Sequence, residues 1–135
     1  MIVDSSVLVC LLLNEPECAR FKAVMERADE KLISAGTWVE LGAVVARRQL
    51  ATREELKRVV RLQQIRVAMV TVEQGEIAHE AYWRFGIGSG HHARLNFGDC
   101  FSYALAKATG EPLLFKGDDF NHTDLLLADA SSYPR

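Results

Sequence analysis

Phe97-Gly98-Asp99-Cys100-Phe101-Ser102-Tyr103-Ala104-Leu105-Ala106-Lys107-Ala108-Thr109-Gly110-Glu111-Pro112-Leu113-Leu114-Phe115 changes its period partway along. Phe101, Ala104, Leu105 and Ala108 recur at helical spacing, which predicts a helix over 97–109. Gly110 suits the position just past a helix end, and Pro112 blocks continuation. Residues 113–115 then read as a short buried strand. A helix that hands over to an apolar strand is the unit of a parallel sheet flanked by helices. The rest of the chain repeats it. Residues 1–3, 31–35 and 67–72 read as further strands, and 123–130 as an added edge strand. A first helix is expected from Ser5 or Ser6 to Leu13. A second follows Asn14 as its cap, carries Glu15, Pro16 and Glu17 in its first turn, and runs to about Ala28. Further helices are expected from Thr37, from Thr52 and over 73–85, the Thr37 and Thr52 pair forming a hairpin over 37–65. A glycine-rich loop spans 86–96. The fold class is α/β, in one domain over 1–135.

The bulk composition narrows the function classes. At 49% hydrophobic and 25% charged, the chain has the balance of a soluble globular protein. A net charge of −2 excludes a general coat for nucleic acid and leaves only local basic patches. Cys10, Cys18 and Cys100 are odd in number, lie among apolar residues and form no Cys-x-x-Cys pair, so buried free thiols in a reducing cytoplasm are expected. The apolar run 7–13 is too short to span a bilayer, and Asp4 stands where a secretory signal carries basic charge. The cytoplasm is the default location, with no membrane partner.

Four acidic positions sit awkwardly for a fold. Asp4 ends the apolar opening, Glu40 is wedged between Val39 and Leu41, Asp99 opens an apolar helix, and Asp118–Asp119 closely follow the last strand. Each has an innocent reading. Asp4 serves as a helix cap, Thr37 to Glu40 fits a capping box, Asp99 complements a helix dipole, and Asp118 is a turn residue. Neither Glu40 nor Asp99 has a Lys or Arg three or four residues further on to neutralise it. In open parallel sheets ligands bind beyond the carboxyl ends of strands, where all four positions can converge. Clustered carboxylates repel and resist desolvation, so they call for a hard cation. An all-oxygen set favours Mg²⁺ or Mn²⁺; zinc wants His or Cys, and no two histidines are four residues apart. Such a centre suits phosphoryl transfer or phosphodiester hydrolysis.

These residues resemble a known family. Met1-Ile2-Val3-Asp4-Ser5-Ser6, the Glu40 helix, Asn96-Phe97-Gly98-Asp99-Cys100-Phe101-Ser102-Tyr103-Ala104-Leu105-Ala106, Leu113-Leu114-Phe115-Lys116-Gly117-Asp118-Asp119-Phe120 and Thr123-Asp124 are similar to the PIN-domain ribonucleases. More narrowly, they resemble VapC-type toxins of bacterial toxin–antitoxin pairs. The resemblance implies a three-layer α/β/α fold with a central mainly parallel sheet of four or five strands. It implies an Mg²⁺- or Mn²⁺-dependent endoribonuclease, a type II toxin, active as a homodimer and inhibited by a VapB-type antitoxin whose tail enters the acidic groove. The 37–65 hairpin resembles the element that grips such a partner. The catalytic and metal-binding acids map to Asp4, Glu40, Asp99 and Asp118, with Asp119 as the alternative fourth, since Gly117 occupies a place where many members carry Asp or Asn. In that scheme Asp4 and Asp99 are direct ligands and Glu40 ligates through water or orients the attacking hydroxide. Asp118 completes the charge and can hold a second ion, and Ser6 hydrogen-bonds a ligand carboxylate or a metal-bound water, unless it is simply a helix-start hydroxyl.

The remaining features are less specific. The 86–90 glycines lack the Lys-Ser/Thr of a phosphate-binding loop. His91, His92, Arg94 and Lys116 are candidate RNA-backbone contacts, or a solvated surface. Arg47, Arg48, Arg53, Lys57, Arg58 and Arg61 make the hairpin basic, for RNA, an acidic partner or water. Trp38 and Trp83 read as core or interface residues. Two competing functions stay open. One is a phosphoacceptor receiver-like signalling domain, although Asp4 stands alone where an acidic pair is wanted. The other is a catalytically silent binding module of the same fold.

Overall fold

The computed structural model describes residues 1–128. Its elements are β1 (Ile2–Val3), α1 (Ser5–Leu12), α2 (Cys18–Glu26), β2 (Lys31–Ser34), α3 (Ala35–Arg47), α4 (Arg53–Leu62), β3 (Ile65–Ala68), α5 (Val72–Phe85), α6 (Asp99–Thr109) and β4 (Leu113–Leu114), with a 3-10 turn at Asp119–His122. The strands form one all-parallel sheet in the order β3-β2-β1-β4.

Alternation along these short strands builds three layers. Val3, Ile33, Ile65 and Leu114 join one core with α1 to α4, around Leu8, Phe21, Met25, Leu41 and Val45. Their neighbours Ile2 and Leu113 join a second core with α5 and α6, around Phe85, Leu95, Tyr103 and Leu105. Side chains of period two thus face opposite sides of one sheet, and each side is covered by helices. All three cysteines are buried and free.

Several boundaries differ from the sequence expectation, each for a local reason. α3 starts at Ala35 because Ser34 caps it, accepting from the Gly36 amide. The capping box at Thr37 therefore does not form, and Glu40 lies in the second turn. α2 starts at Cys18, while Asn14 adopts a left-handed φ of 50° in the preceding turn instead of capping. β3 ends at Ala68 because Thr71 caps α5 through the Gln74 amide. The apolar run beyond it is exposed, with Met69 76% and Val72 87% accessible. α6 starts at Asp99, two residues late. The expected edge strand is reduced to a single bridge between Leu113 and Leu127, and Asp129 and Ala130 lie outside the described residues. The 86–96 loop is closed by Ile87 and Leu95 backbone bonds and anchored by fully buried Ala93 and Leu95.

Gly36 brings α3 against α6. A Cβ there would stand 2.4 Å from ring carbons of Phe101, so only glycine lets the two helices approach this closely. That approach carries Glu40 towards the start of α6.

Candidate active site

Asp4 follows β1 directly, and its amide donates to the Leu114 carbonyl at the end of β4. It caps α1 through the Ser6 amide, as one innocent reading expected. It is also 4% exposed and held on both oxygens. Ser6 Oγ donates to Oδ2 at 2.8 Å, and Ser102 Oγ on α6 donates to Oδ1 at 2.6 Å. With its one proton committed there, Ser102 accepts from Thr37 Oγ1 at 3.1 Å. Ser6 in turn accepts from the Lys116 amide. One buried carboxylate thus gathers β1, β4, α3 and α6. Sequence reading missed Ser102 and Thr37; their signal was a hydroxyl on the apolar face of each helix.

Removing Ser102 Oγ deprives Asp4 of a donor and Thr37 of an acceptor in a buried network. Ser102→Ala is expected to lose about 1–3 kcal/mol of stability in urea unfolding. A value near zero would show that the network relaxes around the gap.

Asp99 enters from α6. Its Oδ2 accepts from the Asn96 amide at 2.9 Å, and its own amide donates to Asn96 Oδ1 at 2.8 Å. This reciprocal pair has the form of a capping box over residues 96–99, and the turn it opens is closed by the tighter bonds from the Cys100 amide to the Phe97 carbonyl and from the Phe101 amide to the Gly98 carbonyl before α6 proper. Burial pushes the Asp99 carboxyl up to about 7; the Asn96 bond opposes this, and the charges of Asp4, Asp119 and Glu40 add to it. Glu40 is raised as well, by burial first and by Asp4 second, against a bond from Ser5 Oγ to its Oε1 at 3.4 Å. Asp4, Glu40 and Asp99 therefore stand close enough at the carboxyl edge of the sheet for the Asp4 charge to act on the other two and that of Glu40 on Asp99, although their oxygens do not form a group within 4.8 Å.

The fourth position divides. Asp118 is exposed and turns away to Asn121 and His122, both at 2.8 Å, which lower its proton affinity. Asp119 is the member of the pair whose charge acts on Asp99.

Elsewhere acids meet cations. Asp124 accepts from Tyr103 and Lys107 and pairs with Arg84. Among the described residues, ligand atoms of Cys10, Glu15 and Glu17 form a tight group within 4.8 Å, and the Lys116 ammonium already neutralises it through both glutamates. The carboxylates of Asp4, Glu40 and Asp99 have no ion pair among the described residues. Lys116, expected near RNA, is committed to Glu15 and Glu17. His91 packs edge-on against Phe85 and accepts from the Ala93 amide, while His92 and Arg94 are exposed. Trp38 packs on the α1–α4 core; Trp83 is 76% exposed.

A three-layer α/β/α protein whose parallel sheet ends at a set of carboxylates drawn from β1, α3 and α6 is the class this arrangement defines. The profile of the PIN domain matches residues 1–126, and the chain belongs to the PIN-domain family. Ribonuclease VapC42 of Mycobacterium tuberculosis is 47% identical over 129 residues, covering 93% of this chain and 96% of that protein. Ribonuclease VapC30 of the same organism is 41% identical over 126 residues, covering 93% and 95%. Among solved structures, M. tuberculosis VapC20, described as a sarcin-ricin loop cleaving toxin, matches with a TM-score of 0.70 at 20% identity, covering 93% of this chain and 95% of that one. A chain of a toxin–antitoxin complex from Klebsiella pneumoniae matches with a TM-score of 0.66 at 16% identity, covering 91% and 92%. These two likenesses show a shared fold. Family membership removes the receiver-like alternative. No helix of the described residues is long and apolar enough to cross a membrane.

Proposed function

We propose that this chain is a divalent-cation-dependent endoribonuclease and the toxin of a type II toxin–antitoxin pair. One observation carries the reading: at one sheet edge the Asp4 charge raises the proton affinity of both Glu40 and Asp99, and Glu40 adds to that of Asp99, with no cation paired to the three among the described residues. The ribonuclease names of relatives at 41–47% identity support it.

The donor set fits Mg²⁺ or Mn²⁺, being all oxygen and in need of positive charge. Asp4 and Asp99 would hold the ion, with Glu40 beside them. Such an ion supplies a lowered pKa for water and neutralises phosphate oxygens. The protein's own contribution is placement. Ser6 and Ser102 fix Asp4, and Asn96 fixes one oxygen of Asp99, leaving the other for a ligand. Glu40, whose side chain accepts among the described residues from Ser5 Oγ at 3.4 Å, is placed to orient the attacking water and accept its proton, a role its raised proton affinity suits.

For the fourth acid the electrostatics favour Asp119 over Asp118. Asp119→Asn is expected to slow cleavage about tenfold or more, and Asp118→Asn to cleave near the parental rate. The reverse order would assign the role to Asp118.

A small apolar-lined groove between α3 and α4, of about 290 Å³ and bounded by Trp38, Val45, Leu56 and Arg53, suits an amphipathic antitoxin segment. The apolar face of α5 and α6, with Trp83 and Phe97 exposed, is a surface for a second copy of the chain. The decisive experiment incubates purified protein with RNA and either Mg²⁺, Mn²⁺ or EDTA. Cleavage with either ion and none with EDTA is expected. Intact RNA under all three conditions would leave the silent binding module as the function.

A further inference from the structure

Gly98 precedes Asp99 with φ −65° and ψ −36°, an ordinary right-handed helical conformation. Its φ lies outside the left-handed region, so backbone conformation alone does not demand glycine there. The reason for glycine lies across the pocket. A Cβ on residue 98 would stand 1.0 Å from Glu40 Oε2, 2.0 Å from Cδ and 2.6 Å from Oε1. The Glu40 carboxylate fills the volume that a side chain at 98 would occupy. It is the end of a flexible side chain, so an added methyl displaces the carboxylate and leaves the fold intact. An ordinary contact starts near 3.4 Å, which moves Oε2 by about 2.4 Å.

We infer that Gly98 is a positioning residue: its missing side chain is the seat that holds the Glu40 carboxylate beside Asp99. The inference rests on the nuclease reading for its effect on rate, and on geometry alone for its effect on Glu40. It also explains how the α3 and α6 acids converge, since Gly36 brings the helices together and Gly98 leaves room for the carboxylate between them.

The test compares the parent, Gly98→Ala, Glu40→Asp and Gly98→Ala/Glu40→Asp. Gly98→Ala is expected to stay folded and to lower both RNA cleavage and Mn²⁺ affinity by about 10- to 100-fold, as loss of a group that orients a ligand does. An aspartate at 40 is one methylene shorter and leaves space for the methyl, so the double variant is expected to cleave faster, and bind Mn²⁺ more tightly, than Gly98→Ala. Calorimetric Mn²⁺ titration and a crystal structure of Gly98→Ala read the position of Glu40 without activity. Parental Mn²⁺ affinity in Gly98→Ala with an unmoved Glu40 overturns the inference. A parent that binds Mn²⁺ but cleaves no RNA overturns the nuclease reading alone, and the titration still decides Gly98.

Discussion

Asp99→Asn is expected to lower RNA cleavage by about 10³-fold and, in the metal-free protein above pH 7, to raise stability. The loss of activity follows from chemistry. A proposed direct ligand contributes to several kcal/mol of transition-state charge stabilisation, so its removal costs about 10³-fold in rate. The gain in stability follows from the electrostatics. Asparagine keeps an oxygen for the Asn96 amide, so the helix start is preserved. What it removes is a charge that burial and the neighbouring carboxylates oppose. Folding pushes the Asp99 carboxyl from an ordinary 3.8 up to about 7. Below about pH 4 the group is protonated in both folded and unfolded protein and ionisation contributes nothing. Between 4 and 7 the folded protein binds the extra proton, so stability falls as pH rises and stays lowered above 7. Asp99→Asn escapes that fall. Melting curves in EDTA should therefore match near pH 4 and separate by several degrees at pH 8, the variant melting higher. A variant that melts below the parent at pH 8 would mean that the Asp99 carboxylate is not under repulsion. Asp4→Asn is expected to lose activity similarly, but without the gain, because Ser6 and Ser102 donate to the two Asp4 oxygens and the NH₂ of an asparagine must face one of these donors, which it cannot accept.

The unequal treatment of these two acids bears on what the amino-acid sequence discloses. The strand–helix alternation was readable because it is written in local periods: Leu113 and Leu114 face opposite cores, and Phe101 to Ala108 repeat at helical spacing. The acids stood out because Glu40 and Asp99 lack cations at helical distance, also a local property. Their supports were not readable. Ser102 reaches Asp4 across 98 residues of chain, and Thr37 reaches Ser102 across 65. No period marks either bond. Likewise Asp118 and Asp119 are indistinguishable as neighbours in a turn; only the 3-10 geometry sends one to His122 and the other's charge towards Asp99. Boundaries failed where a hydroxyl one turn earlier or later took the cap: Ser34 for Thr37, and Thr71 ending a strand whose apolar run extends through Val70 and Val72.

Added Mn²⁺ is expected to raise the melting temperature strongly at pH 8 and weakly at pH 5.5. A ligand that binds only the folded state adds about 2.7 kcal/mol at a hundred times its dissociation constant, which for a domain of this size corresponds to roughly 10 °C. The pH dependence comes from competition, because the ion must displace the proton held at Asp99. With that carboxyl near 7, about 3% is ionised at pH 5.5 and about 90% at pH 8, so apparent affinity differs by about 30-fold. The linkage therefore runs opposite to that of the metal-free protein: acid stabilises the apo form, and alkali favours the loaded form. Surface binding of Mn²⁺ to scattered carboxylates would give a shift that changes little between these pH values, since ordinary acids are ionised at both. The Asp99→Asn protein separates the two cases. It should show little Mn²⁺-dependent shift at pH 8, despite starting from a higher melting temperature, because the repulsion that the ion relieves has already been removed. An equal shift in parent and variant would place the ion away from Asp99, and would leave the convergence of Asp4, Glu40 and Asp99 without a ligand to explain it.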